Sequence, residues 1–328
     1  MTKFKITNLE HKSFLSSGKK TILDEAIDAG IIFDHSCKNG RCGSCKATLL
    51  EGEILEVQPQ TSIELQKEDR EFLTCCCTAA SDIVIDAEDI SALHGIKCKI
   101  FPSRISALEF LSKNILLVRL RIPPTSNLNF LPGQFIDVIG PNAIKRSYSI
   151  SSKPTSIEIS LLIKRIEGGY LSDYWFERAK LNDLLRIEGP KGTFFCRDRN
   201  KKMIFLATGT GIAPIRSILE SLDDDSDFHQ ENSISLFWGN RAKEDFVWTP
   251  NFKNLEVDVN LSLSRLDPDW NGEICYVHDL ACSKVKNIEQ NKIYACGSIE
   301  MINSAKTKLL NIGLNEKNFY SDAFVQSF

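Results

Sequence analysis

The chain has 328 residues, 40 Lys/Arg against 43 Asp/Glu, and 11 cysteines. That length exceeds one ordinary core and predicts two or three domains. A net charge of −3 argues against general nucleic-acid binding, and no run of some eighteen apolar residues occurs, which excludes a membrane-spanning helix.

Taken in chain order, residues 3–8 and 13–16 predict a short hairpin. Thr21-Ile22-Leu23-Asp24 opens a helix with capping-box character, Ile22/Ala26 and Leu23/Ile27 give it an apolar face, and Gly30 ends it. A cysteine-rich loop follows. Lys46 to Ile54 reads as one strand, Ser62 to Phe72 as polar turns with a helical piece, and Asp82 to Asp86 as an alternating strand. A small sheet, one helix and an inserted loop make a β-grasp arrangement over residues 1–92, and the pattern relaxes near 90–97.

The loop His35-Ser36-Cys37-Lys38-Asn39-Gly40-Arg41-Cys42-Gly43-Ser44-Cys45 carries three cysteines at C-x4-C-x2-C spacing. That is the plant-type spacing for a [2Fe–2S] cluster held by four thiolates. Glycines suit such a loop, because backbone N–H groups must approach sulfur closely. The fourth ligand comes from Cys75, Cys76 or Cys77, among which spacing does not choose. Zinc would call for paired C-x2-C knuckles, of which there is one. Disulfides would call for an oxidising compartment, whereas Met1-Thr2-Lys3-Phe4-Lys5 lacks an apolar signal region and predicts a reducing, cytoplasmic setting. Cys98, Cys196, Cys275 and Cys282 read as small buried hydrophobes.

Residues 97–199 are strand-rich. Ile115–Ile122, Gln134–Ile139, Ser147–Ile150 and Ile157–Ile163 alternate or are β-branched, with turns at Pro132-Gly133 and Gly189-Pro190 and one helical stretch, Leu171–Ala179. Short strands around a single helix predict a closed antiparallel barrel. Arg146-Ser147-Tyr148-Ser149 on one strand sets an arginine and an aromatic beside hydroxyls. Those groups suit a flavin, with the ring on the tyrosine and the cation on a phosphate; the bland alternative is an ordinary alternating strand. Gly168-Gly169-Tyr170-Leu171-Ser172 opens the helix and could meet a pyrophosphate or simply cap it.

From residue 200 to 328 the rhythm becomes βα. Met203–Ala207 is apolar without alternation, then come Thr208-Gly209-Thr210-Gly211 and a helix through Leu222. Ile234–Trp238, Leu255–Leu261 and Lys292–Cys296 are buried-strand candidates, and Ser298–Leu310 is helical. The pattern predicts a doubly wound, largely parallel sheet. Gly209-Thr210-Gly211-Ile212-Ala213-Pro214 sits at a strand-to-helix junction, where glycines let a pyrophosphate approach the backbone and the helix dipole favours it. Tyr294-Ala295-Cys296-Gly297-Ser298 ends another strand at the ligand edge of such a sheet, with Cys296 either beside a nicotinamide or a core thiol. The histidines His11, His35, His94, His229 and His278 form no ligand pair or triad and read as structural or surface residues.

These motifs, in this order, resemble the ferredoxin–NAD(P) reductase superfamily fused to a plant-type ferredoxin domain. The resemblance spans the chain. The segments SCKNGRCGSCKA, FLTCCC, RSYSI, IEGPKGTFF, GTGIAP, YACGS and FYSDAF are most similar to the branch serving bacterial deoxysugar synthesis, with reductase components of multicomponent oxygenases as the rival. The resemblance implies Cys37, Cys42, Cys45 and Cys75 as cluster ligands, and Arg146, Ser147, Tyr148 and Ser149 on the flavin with Ser149 near its reactive nitrogen. It implies Gly169, Leu171 and Ser172 at the FAD pyrophosphate, and Gly209, Thr210 and Gly211 around the dinucleotide. Cys296 and Gly297 would sit by the nicotinamide, and Phe324 would cover the flavin face. Ser264-Arg265 falls where NADP-using relatives hold a 2′-phosphate, yet the nearest-looking branch is similar to NADH users, so NADH is expected. The implied flow is NADH to FAD to [2Fe–2S] to a partner, a pyridoxamine-phosphate-dependent deoxysugar dehydrase. Residues 1–92 carry 10 Lys/Arg against 16 Asp/Glu, and the remainder 30 against 27. That acidic part is either a docking face for a basic partner or a solubility device. A non-catalytic zinc or redox module is the remote alternative.

Overall fold

A computed structural model describes residues 3–60, 65–66, 68–199, 202–228 and 233–324. The chain separates into two compact units between Ile96 and Lys97.

The first unit contains β1 (Phe4–Asn8), β2 (Ser13–Ser16), α1 (Ile22–Asp28), β3 (Lys46–Glu51), β4 (Ile54–Glu56), β5 (Glu71–Leu73), β6 (Cys77–Ala79) and β7 (Ile83–Asp86). Five strands form one sheet in the order β2-β1-β7-β3-β5, and β4 pairs with β6 in a separate ribbon. β1 and β7 run parallel and the other pairs antiparallel. This is the expected β-grasp. Thr21 caps α1, its hydroxyl accepting the Asp24 N–H at 3.2 Å. The helix buries Ile22, Leu23 and Ala26 against Ile6, Phe33 and Ile85.

Two expectations need correction. Lys46–Ile54 is not one strand: the chain turns at Gly52 (φ +86°), so β3 stays in the main sheet and β4 leaves for the ribbon. Glu71-Phe72-Leu73 is a strand rather than a turn, in register with Thr48, Ala47 and Lys46. Of the segment read as polar turns, residues 62–64 and 67 lie outside the described residues.

A buried carboxylate closes this unit. Asp89 accepts the Lys12 ammonium at 2.7 Å, the Ile32 N–H at 2.9 Å and His94 Nε2 at 2.9 Å. Three segments distant in sequence are pinned by one side chain.

The second unit begins with β8 (Lys99–Ser112), β9 (Ile115–Arg121), β10 (Phe135–Ile139), β11 (Lys145–Ser149), β12 (Ile159–Lys164), α2 (Tyr170–Asp173) with a π turn over Tyr174–Arg178, and β13 (Leu184–Lys191). The strands are antiparallel in the order β11-β10-β13-β8-β9-β12. A bridge between Ile150 and Leu161 joins the two end strands and closes the barrel. Its core includes Ile105, Val118, Ile136, Val138, Leu161 and Ile187.

The remaining elements are β14 (Lys202–Thr208), α3 (Ile212–Asp223), β15 (Ile234–Asn240), β16 (Val257–Leu263), β17 (Glu273–Ile274), α4 (Val277–Lys284), β18 (Asn291–Ser298), α5 (Ile299–Asn311) and β19 (Phe319–Phe324). All six strands are parallel, in the order β17-β16-β15-β14-β18-β19. The chain enters at β14, winds outward to β17, then returns to β18 on the other side. The topological switch therefore falls between β14 and β18, where such sheets bind ligands. Phe205, Leu206 and Ala207 are fully buried, which is why β14 shows no alternation.

Barrel and sheet are tied together. Ser217 Oγ donates to the Ser152 carbonyl at 2.7 Å, Ser112 Oγ donates to Asp245 at 2.9 Å, and Lys153 pairs with Asp224. Leu117, Leu162 and Phe194 of the barrel share a core with Phe205 and Ile218. No helix among the described residues is long and apolar enough to cross a membrane.

Burial raises the Asp89 carboxyl, but Lys12, the Ile32 N–H and His94 outweigh it and hold the group below its ordinary value. A depressed folded pKa contributes stability above the unfolded carboxylate range that is lost as pH falls through the folded value. Asp89→Ala is therefore expected to cost about 2 kcal/mol at neutral pH. In urea titrations followed by circular dichroism, the gap from wild type should narrow below about pH 4.

Candidate cluster, flavin and nucleotide sites

The cysteine loop follows α1 and leads into β3. Cys42, Cys45 and Cys75 are buried and Cys37 is half-buried. The thiols form two pairs. Cys42 N–H donates to Cys37 Sγ at 3.3 Å, and Cys37 N–H approaches Cys42 Sγ at 3.5 Å. Cys75 pairs with Cys45, and this second pair is set by Thr74, whose N–H and hydroxyl both donate to the Cys45 carbonyl, at 3.0 and 3.2 Å. The loop closes tightly over the sulfurs. Gly40 has φ +76°, and a Cβ there would lie 2.3 Å from the Pro59 carbonyl oxygen, so no other residue fits.

The electrostatics favour anionic sulfur on one member of each pair. Hydrogen bonding from the Cys42 thiol, then from the N–H groups of Asn39, Cys42 and Arg41, draws the Cys37 thiol down to about 5 against the opposing effect of burial. The Cys45 thiol, followed by the Cys76 thiol and the Gly40 N–H, draws Cys75 down to about 7. Their partners Cys42 and Cys45 are held up by the same pairing and by burial. No group of three or more His, Cys, Asp or Glu suited to a single ion occurs among the described residues. Four sulfurs in two pairs, with backbone N–H groups aimed at them, fit a two-iron cluster better than one tetrahedral ion.

The geometry also separates the three consecutive cysteines. Cys75 meets Cys45 and the Gly40 N–H. Cys77 lies in β6 opposite Glu56, and burial pushes its thiol up to about 12. Cys76 Sγ stands 3.5 Å behind that of Cys75.

On the barrel, Arg146 and Tyr148 share the half-buried face of β11, and Ser149 is buried at its end. The Tyr148 hydroxyl accepts Trp175 Nε1–H at 3.1 Å, with the rings edge-on at 6.3 Å. Burial lifts the Tyr148 hydroxyl to about 12. Trp175 follows α2, so this contact brings the Arg146–Ser149 strand beside the segment begun by Gly169. Ser147 differs from expectation. It is exposed on the opposite face and donates to Asp137 at 2.6 Å, a carboxylate shared with Lys191. At the helix, the Leu171 side chain packs under Gly140, and Ser172 Oγ accepts the Ile166 N–H at 2.8 Å. Both side chains serve the fold, leaving the first-turn N–H groups as what α2 offers a phosphate.

At the switch point, Gly209–Gly211 form one 3-10 turn between β14 and α3. Two glycines interlock the strand ends. A Cβ on Gly211 would lie 2.2 Å from the Cys296 carbonyl oxygen, and one on Gly297 would lie 2.1 Å from Thr208 Oγ1. Trp238 Nε1–H donates to the Gly209 carbonyl at 3.0 Å, aiming the turn. The Cys296 thiol is wholly buried, and burial and the Asp322 carboxylate push it well up. The strand reaches the crevice with Gly297 and Ser298 instead. Phe324 is part-exposed in register with Ser298.

Two further residues join the site that the sequence reading did not single out. Lys164 ends β12, and its ammonium lies 3.7 Å from the position a Gly209 Cβ would take, setting a cation over the glycine turn. Asp322 is buried in register with Cys296. The Lys-Arg pair closing an apolar strand was the only signal for the first, and the second had none. Among the remaining cysteines, Cys98 is exposed and Cys196, Cys275 and Cys282 are half-buried, so none is the fully buried hydrophobe expected. Cys98 lies in the stretch leading into β8. His35 is tied to the Phe33 carbonyl and His94 to Asp89. His229 lies outside the described residues.

Family models match in three consecutive blocks: a 2Fe-2S iron-sulfur cluster binding domain over residues 8–80, an oxidoreductase FAD-binding domain over 102–196, and an oxidoreductase NAD-binding domain over 205–307. Among solved structures, the fold is similar to the ferredoxin reductase in carbazole 1,9a-dioxygenase (TM-score 0.67, 24% identity, 99% of both chains). It is also similar to the Amycolatopsis cytochrome P450 reductase GcoB (TM-score 0.73, 18% identity, 98% and 99%). The chain is thus an electron-transferring iron–sulfur flavoprotein reductase with [2Fe–2S], FAD and NAD domains. It is 38% identical to the CDP-6-deoxy-L-threo-D-glycero-4-hexulose-3-dehydrase reductase of Yersinia pestis over 96% of each chain, and 35% identical to Protein RfbI of Salmonella typhimurium over 94% and 92%. It belongs to that family of dehydrase reductases. A reductase component of Comamonas terephthalate 1,2-dioxygenase is 29% identical over 94% and 93%.

Cys75→Ala is expected to abolish iron and acid-labile sulfide while FAD is retained, whereas Cys77→Ala keeps both, as read by metal analysis and visible circular dichroism. Lys164→Ala should raise the KM for NADH about tenfold, the loss of one charge-assisted contact, with kcat and bound FAD little changed in a ferricyanide assay.

Proposed function

We propose that this chain carries electrons from NADH to a pyridoxamine-phosphate-dependent dehydrase acting on a CDP-4-keto-6-deoxyglucose-derived intermediate, for C-3 deoxygenation in a cytoplasmic setting. The observation that carries the reading is the near end-to-end match, at 38% identity, to the CDP-6-deoxy-L-threo-D-glycero-4-hexulose-3-dehydrase reductase of Yersinia pestis.

When bound, FAD takes the nicotinamide's hydride and releases electrons singly, and the cluster accepts one at a time. The chain's own residues do the rest. The Gly209–Gly211 turn, its carbonyl held by Trp238, receives the dinucleotide pyrophosphate at the start of α3, with Lys164 supplying countercharge. Gly297 lets the nicotinamide approach the strand end, and Cys296 backs that end as a packed thiol. Tyr148, oriented by Trp175, would support the flavin ring, while Arg146 and the N–H groups of Leu171 and Ser172 would meet its phosphates beside Gly169, whose own N–H is held by the Ile166 carbonyl at 3.1 Å. Ser149, buried at the end of β11, would lie near the flavin's reactive nitrogen, and Phe324 would cover the flavin face. Ser147, engaged by Asp137, leaves the set. Cys37, Cys42, Cys45 and Cys75 would hold the two irons. Just after β16, the Ser264 N–H and hydroxyl both donate to the Asn240 carbonyl, at 2.9 and 3.4 Å; the hydroxyl is thus engaged where a 2′-phosphate would need a donor, which supports NADH.

The acidic first unit is proposed as the docking face for the dehydrase. Reconstitution with such a dehydrase and NADH should yield the C-3 deoxygenated product, with none formed when an oxygenase replaces it. Turnover should fall severalfold between 50 and 300 mM salt (about a tenfold span of screening is not reached, since the Debye length only shortens from roughly 14 to 6 Å). Support of oxygenase turnover instead would favour the second family of reductases, and a salt-independent rate would remove the docking claim.

A further inference from the structure

Cys76 lies outside the proposed ligand set, yet it is the thiol packed most closely against it. Its side chain is fully buried. Its Sγ lies 3.5 Å from Cys75 Sγ and 3.8 Å from the Pro59 carbonyl oxygen. The cysteine loop passes directly above, because a Cβ on Gly40 would lie 2.8 Å from this sulfur. The backbone is fixed on both sides: Cys76 N–H donates to the Leu73 carbonyl at 2.9 Å, and its carbonyl accepts Val57 N–H at 2.8 Å and Gln58 N–H at 3.3 Å. A side chain enclosed this closely cannot swing away from its neighbour.

A cysteine S–H is a single weak donor. Two acceptors are in reach, a neutral carbonyl at the longer distance and the Cys75 sulfur at the shorter. A metal-bound Cys75 is a thiolate, and hydrogen bonds to charged acceptors are the stronger ones. The proton then points at the ligand. One-electron reduction adds negative charge to an iron–sulfur cluster, and hydrogen bonds to its sulfurs are among the features that set its potential. A donor behind one ligand stabilises the reduced form more than the oxidised one.

We propose that Cys76 is a positioning residue whose S–H donates to the Cys75 thiolate and raises the potential at which the cluster accepts its electron. The inference rests on the ligand assignment proposed above. It explains why a second buried thiol directly follows the fourth ligand, where any small apolar residue would fill the space.

The test uses the full-length holoprotein and the variants Cys76→Ala, Cys76→Val and Cys76→Ser. Iron and acid-labile sulfide are measured first, then anaerobic redox titrations are followed by electron paramagnetic resonance. Alanine and valine remove the donor, and either suffices if the other fails to fold; serine restores a donor. All are expected to retain iron and sulfide. At the wild-type midpoint, the reduced-to-oxidised ratio of the donor-less variants should fall about five- to tenfold, and the serine variant should recover it to within about twofold. NADH oxidation by ferricyanide should be unchanged throughout. An unchanged ratio in the donor-less variants overturns the proposal and leaves Cys76 as packing. Loss of iron and sulfide from both overturns it by making Cys76 a ligand. Retention of the cluster in Cys75→Ala would instead bring down the ligand assignment itself, a separate outcome.

Discussion

Four sulfur atoms drawn together in a loop that excludes most water are a dense negative charge when ionised, and everything in the first unit is arranged around tolerating it. Isolated buried anions are costly, so the loop turns its own amides inward. The N–H groups of Asn39, Gly40, Arg41 and Cys42 point at Cys37 and Cys75, which demands the left-handed backbone at Gly40. Thr74 latches the end of β5 to Cys45 and so brings Cys75 beside it. The sheet and helix are the scaffold that holds those ends in register.

The second unit meets a different constraint. A dinucleotide needs backbone close to its phosphates, and a parallel sheet offers that where strand order reverses. Here the reversal brings Gly211 against the Cys296 carbonyl and Gly297 against Thr208. The strand ends are thus locked by the chain's own packing, which favours binding by limiting the ordering cost. The barrel contributes from across the crevice, through Lys164 above the turn and through Tyr148 set by Trp175. The shared core of Leu117, Leu162 and Phe194 with the sheet keeps these groups facing one another.

Much of this was legible in the sequence where local patterns and chemistry coincide. The cysteine spacing, the glycine turn after an apolar strand and the alternating strands of the barrel each follow from one short segment. β8 and β13 were hidden. β8 is broken by bulges near Ile105 and Phe110 and includes Pro102, so its polar and apolar residues do not alternate. That Cys75 stands beside Cys45 while Cys77 lies in β6 opposite Glu56 is visible only in space. Ser147 was grouped with its neighbours by a string of hydroxyls, whereas on the strand it faces away from Arg146 and Tyr148. Lys164 approaches the glycine turn from the barrel, and Asp322 approaches Cys296 from the adjacent strand, proximities that exist only in the folded chain. Cys296 stands at the expected strand end with its thiol in the apolar core, a placement that the string Tyr294–Ser298 alone left open.

The central claim is a direction: electrons enter at the nicotinamide crevice, pass the flavin and leave through the cluster. Anaerobic stopped-flow mixing of the holoprotein with NADH tests it most directly, with flavin and cluster absorbance followed separately. The account predicts flavin bleaching first, cluster reduction after it, and reoxidation of the cluster when the acceptor protein is added. Cluster reduction that proceeds in flavin-depleted protein, or acceptor reduction with the cluster left oxidised and uninvolved, would contradict it.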